Sequence, residues 1–175
     1  MAVLKILNRK EGEGYLLNCI TYLMRPDKNT QGLYGGHNFL ITPNPQQICC
    51  QFEAVASLYA KRRSLTPIHF ILSFSSDVYC DEEYCITPYK AALIAYHICL
   101  YHFQIYQIMN SVHNDESHLH IHFIVNPISL YDGSMLNLNY EEQSKLFDNV
   151  QLVLKQPHKW DGKYPIKLEA PIRYE

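Results

Sequence analysis

Residues 103–126 read FQIYQIMNSVHNDESHLHIHFIVN, and this stretch decides what kind of sheet the chain can build. Two β-rich runs, FQIYQIMNSV (103–112) and HLHIHFIVN (118–126), flank turn-forming residues around NDES, the pattern of an antiparallel hairpin. In the second run His118, His120 and His122 alternate with Leu119, Ile121 and Phe123. A strand's period of two sends the imidazoles to one face and their apolar neighbours to the core. With a loop of Asn114 to Ser117, His113 lies opposite His118 and diagonal to His120, so four histidines crowd one patch.

Working outward, VLKILNR (3–9) and TPIHFILSF (66–74) are apolar runs suited to strands. GYLLNCITYLM (14–24) has helical spacing, and Pro26 ends that helix near Tyr22. A polar, glycine-bearing stretch (25–36) leads to HNFLIT (37–42), which reads as a strand. Asn44-Pro45 opens a helix to about Arg63, and Thr87-Pro88 opens another with Ala91, Ala92, Ile94, Ala95, Ile98 and Cys99 inward. Asn139 caps a last helix from Tyr140 to about Lys155. Strands and helices mix without strict β-α-β alternation, so the expected fold is α+β, a central antiparallel sheet flanked by helices in a single domain over 1–175.

Composition agrees with one packed core, since 47% of 175 residues are apolar and 18% charged. No apolar run reaches the roughly 18 residues of a membrane span, and Lys5 interrupts the start, which predicts a cytoplasmic chain without membrane insertion. The six cysteines lack paired C-x-x-C spacing and read as reduced thiols. The net charge of −2 argues against coating DNA by bulk electrostatics. Its distribution is uneven: residues 1–63 hold eight Lys and Arg against four acids, residues 64–175 seven against thirteen. A basic face from Lys5, Arg9, Lys10, Arg25, Lys28 and Lys61-Arg62-Arg63 could meet phosphates; a solvated helix end explains the KRR cluster equally well.

Packing imidazoles together without a shared ligand invites repulsion if they protonate, whereas a divalent ion turns them into neutral nitrogen donors. Metal binding is therefore the reading of the histidine patch, weighed against a strand face that merely tolerates histidines. Asp115 offers a carboxylate to accept the free N–H of a ligand and orient it. Three histidine ligands leave coordination positions open for water or a phosphate oxygen.

At this point the residues resemble a known family. VHNDESHLHIHFIVNPIS (112–129) is similar to the third motif of MobA/VirD-type plasmid relaxases of the HUH endonuclease superfamily, H-x-D, then H-x-H, three residues and Asn. LNCITYLMRPDKNTQGLYGGHNFLIT (17–42) looks like the first motif, and HFILSFSSD (69–77) resembles the second. The likeness spans about residues 3–155, with the tyrosine before the histidines. It implies that Tyr22 is the nucleophile, that His113, His120 and His122 hold the metal, and that His118 and Asn126 stand behind them. It also implies Ser73 at the DNA. Beside it, Asp115 is the candidate that orients the ligands through a histidine, Lys28 and Arg25 of the basic face are candidate DNA contacts, and His37 reads equally well as a DNA contact or an ordinary strand residue. The implied cofactor is Mn2+ or Mg2+, with Zn2+ as a further option. The implied activity is strand-specific nicking and rejoining at a transfer origin through a 5′-phosphotyrosine. Its substrate would be single-stranded DNA, with an accessory DNA-binding protein and a coupling protein as partners. The chain departs from the pattern in that the carboxylate after Ser-Phe is displaced to Asp77 and the net charge is acidic. Two rivals stand beside this expectation. An unrelated histidine-metal enzyme would keep its activity in Tyr22→Phe, and a single-strand-binding remnant would bind DNA without forming an adduct.

Overall fold

The computed structural model describes residues 1–7, 12, 14–29, 31–61, 65–75, 86–114 and 118–169. Five strands, β1 (Ala2–Ile6), β2 (Tyr34–His37), β3 (Ile68–Phe74), β4 (Ile108–His113) and β5 (His120–Val125), form one sheet in the order β1-β3-β5-β4-β2. Every neighbouring pair is antiparallel. The α+β expectation holds, with helices α1 (Tyr15–Leu23), α2 (Pro45–Leu58), α3 (Pro88–His102) and α4 (Tyr140–Leu154) packed on the sheet. The expected caps are made: Asn44 accepts from the Gln46 N–H, Thr87 from Lys90 and Asn139 from Glu142. Among the described residues no helix is long and apolar enough to cross a membrane.

Alternation divides the sheet into two unlike faces. Ile68, Phe70, Leu72 and Phe74 of β3 join Ile121, Phe123 and Val125 of β5 beneath α3 and α4, forming the main core. Phe70 stacks on Phe123 there at 4.4 Å between centroids. The opposite face carries Met109 and Ile124 at one end, covered by Leu16, Ile20 and Leu23 of α1 and Ile48 and Phe52 of α2. The other end of that face carries the polar residues Ser111, His113, His120 and His122, all buried. Burying both faces is why β4 and β5 are inaccessible along their whole length.

Three boundaries differ from expectation. HNFLIT does not form a strand; the edge strand is YGGH, ending where Asn38 turns to φ 63° and donates to the carbonyls of Gln104 and Tyr106. Gly36 permits this close edge, because a Cβ there would collide with the Phe39 ring and the Ile108 carbonyl. Helix α2 stops at Leu58, not near Arg63. Ala60 takes φ 54°, Ala60 N–H bonds to the Ser57 carbonyl and Lys61 N–H to the Ala56 carbonyl, a Schellman ending with alanine where glycine is usual. Strand β4 starts at Ile108 because α3 runs on to His102, so Phe103–Gln107 serve as the connection.

Candidate active site

The hairpin register differs from the expected one. His113 pairs directly with His120, and His122 pairs with Ser111 on one side and Ile71 on the other. The connection is thus longer than Asn114–Ser117, and His118 lies before β5, not opposite His113. Ring centroids stand 4.5 Å apart for His113–His122, 5.0 Å for His120–His122 and 5.5 Å for His113–His120. One nitrogen from each lies within 4.8 Å of the others.

Helix α1 brings Tyr22 onto this cluster. Leu16, Cys19, Ile20 and Leu23 bury its apolar stripe, and its last carbonyl docks on β4. The Leu23 carbonyl accepts from Ser111 Oγ at 2.6 Å and from His113 Nε2 at 3.3 Å. Asn29, past the Pro26 turn, donates to Ser111 Oγ at 3.0 Å, and the Asn114 N–H bonds to the Lys28 carbonyl. Held by these bonds, the half-buried Tyr22 ring lies edge-on to His113 and to His122, 5.3 Å from each centroid.

The second ring nitrogens are held from behind. His113 Nε2 faces the Leu23 carbonyl, and His120 Nδ1 faces the His118 carbonyl at 3.3 Å. Carbonyls only accept, so the protons sit on those nitrogens and the lone pairs on His113 Nδ1 and His120 Nε2. His122 Nδ1 lies 2.9 Å from Nε2 of His69, while its own Nε2 is buried without a hydrogen-bond partner. Burial, followed by the neighbouring imidazoles and Lys28, pushes the His122 pKa far below the ordinary histidine value. Burial, then His113, lowers His69 to about 4. His69 and His122 are therefore neutral near pH 7. A buried ring nitrogen left unsatisfied costs about 1–3 kcal/mol, and where it carries the lone pair a cation shared with two neighbouring imidazoles removes that cost. The three histidines fit a metal ion on this ground.

A model of the family described as "Relaxase: MobA/VirD2-like, nuclease domain" matches residues 22–158, from Tyr22 through the whole cluster. The chain belongs to this relaxase family. Comparison with curated proteins and with solved structures gives no match.

The remaining expected site residues of the relaxase domain fall in different places. Ser73 pairs with His120 and shares its face of the sheet. Lys28 is half-buried and close enough to act on His122. Arg25 is exposed and grips Asp27 through Nε at 3.0 Å and a terminal nitrogen at 2.6 Å. His118 contributes its carbonyl, with its ring 6.1 Å from that of His120. His37 pairs with Ile108, whose side chain enters the core under α3, so it belongs to the face opposite the histidines. Asn126 does not stand behind the ligands. Past the far end of β5, its amide donates to the Phe52 carbonyl and Gln107 Oε1 and accepts from the Ile128 N–H, tying α2 to the sheet. Asp115 and Asp77 lie outside the described residues.

His69 was not anticipated. Its signal was present in HFILSF, where period two puts His69 on the face of Ser73. Beside α1, an open cavity of about 490 Å³ is lined by residues including Thr21, Met24, Arg25, Asn29, Tyr34 and Pro43.

Proposed function

We propose that this relaxase domain cuts one DNA strand by attack of Tyr22 on a phosphodiester held at the histidine cluster, and reseals it by the reverse reaction. The observation that carries this reading is the Tyr22 ring 5.3 Å from two of the three clustered imidazoles. Among the tyrosines of the described residues, Tyr22 has its ring against two of these imidazoles. A divalent ion on His113, His120 and His122 would supply positive charge to the nonbridging phosphate oxygens.

The chain's own residues do the rest. The Leu23–Ser111–Asn29 bonds fix the end of α1, which orients the phenol toward the bound phosphate. The Tyr22 oxygen forms a bond to phosphorus as its proton leaves, and the bond from phosphorus to the 3′ oxygen breaks. That oxygen takes up a proton and leaves as a 3′ hydroxyl, while the 5′ phosphate stays on Tyr22. The phosphotyrosine diester keeps the energy of the bond it replaced, so the 3′ hydroxyl can return. Lys28 supplies positive charge near the phosphate, and the cavity along α1 suits the nucleotide next to the cut, with Tyr34 as a stacking surface. The substrate is single-stranded DNA at an origin of transfer of a mobile element, with an accessory DNA-binding protein and a coupling protein as partners. The ion is Mn2+ or Mg2+, with Zn2+ as the other candidate for three imidazoles.

The test is incubation with labelled single-stranded oligonucleotides tiling the DNA that flanks its gene, with Mn2+ or Mg2+. The expected product is a protein-linked 5′ fragment, lost in Tyr22→Phe and with chelator. Binding without any adduct would mark a DNA-binding remnant, and cleavage that persists in Tyr22→Phe would mark a different hydrolytic chemistry.

A further inference from the structure

We propose that His69 is a positioning residue that sets the ligating tautomer of His122 by accepting a hydrogen bond from its Nδ1. This rests on the reading of His113, His120 and His122 as a metal site. The other two ligands have backbone carbonyls behind them, which can only accept and so leave no choice of tautomer. His122 alone has another imidazole in that place, 2.9 Å away. For His122 Nε2 to carry its lone pair into the cluster, Nδ1 must hold the proton, and His69 must meet it with an unprotonated Nε2. His69 is then protonated on Nδ1.

The sheet builds this contact. His122 pairs with Ile71 across β3 and β5, and His69 is the next residue of β3 on the same face, a diagonal neighbour. The two rings tilt at 49° with centroids 5.2 Å apart. His69 is 9% exposed and His122 4%, so little water competes for either nitrogen. The polar partner behind a ligand typically accounts for about 10–100-fold in metal affinity.

The test uses the whole chain, freed of metal, with Mn2+ and Co2+ as probes, as wild type, His69→Gln and His69→Phe. Glutamine places a carbonyl oxygen near the position of Nε2; phenylalanine keeps the bulk and accepts nothing. Nitrogen-resolved NMR of the metal-free wild type is expected to find His122 protonated on Nδ1, a preference kept in His69→Gln and lost in His69→Phe. Calorimetry is expected to give Mn2+ binding weaker by about 10–100-fold in His69→Phe and within about threefold of wild type in His69→Gln. The Co2+ absorption bands should follow the same order. A lower melting temperature for His69→Phe with unchanged metal affinity overturns the proposal, as does a wild-type His122 protonated on Nε2. If the wild type takes up neither ion, the metal reading fails, and the tautomer comparison then decides the His69 contact by itself: a preference lost in His69→Phe supports it, and one retained refutes it.

Discussion

Ser111→Ala tests the link between the first helix and the histidine-bearing sheet. Ser111 is fully buried, and its Oγ joins two elements by accepting from Asn29 Nδ2 at 3.0 Å and donating to the Leu23 carbonyl at 2.6 Å. Alanine removes both bonds. Each contributes a net of about 1 kcal/mol, and an amide left unsatisfied in a dry site costs about 1–3 kcal/mol more, so the loss should be about 3–5 kcal/mol. His113 Nε2 still reaches the Leu23 carbonyl, which keeps the figure toward the lower end. Urea unfolding of the metal-free protein should therefore show a lower midpoint with an unchanged slope. Asn29→Ala should cost less in the Ser111→Ala background than in wild type, because each removes part of the same chain of bonds. Adduct formation should fall as well, since the phenol is aimed by this docking. A loss below about 0.5 kcal/mol, or strict additivity of the two substitutions, would refute the claim that this chain of bonds holds Tyr22 in place.

Metal-free protein should lose stability on acidification. Burial depresses His69 from 6.5 to about 4 and His122 in the same direction, so the unfolded chain takes up protons first. Their contribution is complete above pH 6.5 and declines as pH falls toward 4; His69 alone accounts for on the order of 3 kcal/mol, and urea midpoints across that range measure it. Adding Mn2+ at about one hundred times its dissociation constant should raise stability by about 2.7 kcal/mol at pH 7, which thermal unfolding reads directly. Ala60→Gly should stabilise the fold by about 0.5–1 kcal/mol, because alanine at φ 54° carries left-handed strain that glycine avoids. Equal or lower stability of that variant would count against the Schellman ending as a source of strain. In Tyr22→Phe, calorimetric Mn2+ binding should match wild type while the adduct disappears, because under the proposed mechanism the hydroxyl attacks and the ring only packs.

The histidine face was legible because strand alternation is a local property: His120 and His122 share a side whatever the rest of the chain does. The starts of α2, α3 and α4 were legible for the same reason, each resting on a cap and a proline or a cap alone within four residues. The register of the hairpin was not, since it depends on the length of the connection, and turn-forming letters do not count its residues. Pairing His113 with His120 in place of His118 moves the partner by two, which keeps the face and changes the neighbours. The contact of His69 with His122 was out of reach for a deeper reason. The two meet across 53 positions of sequence, and only because β3 inserts between β1 and β5. The same insertion sets Ser73 beside His120, so a motif that reads as an ordinary buried strand supplies one flank of the site. The opposite flank, Tyr22, comes from α1 by way of the Leu23 carbonyl. Sheet order converts three separate sequence motifs into one cluster, and the contacts it creates between them are those that no single motif contains.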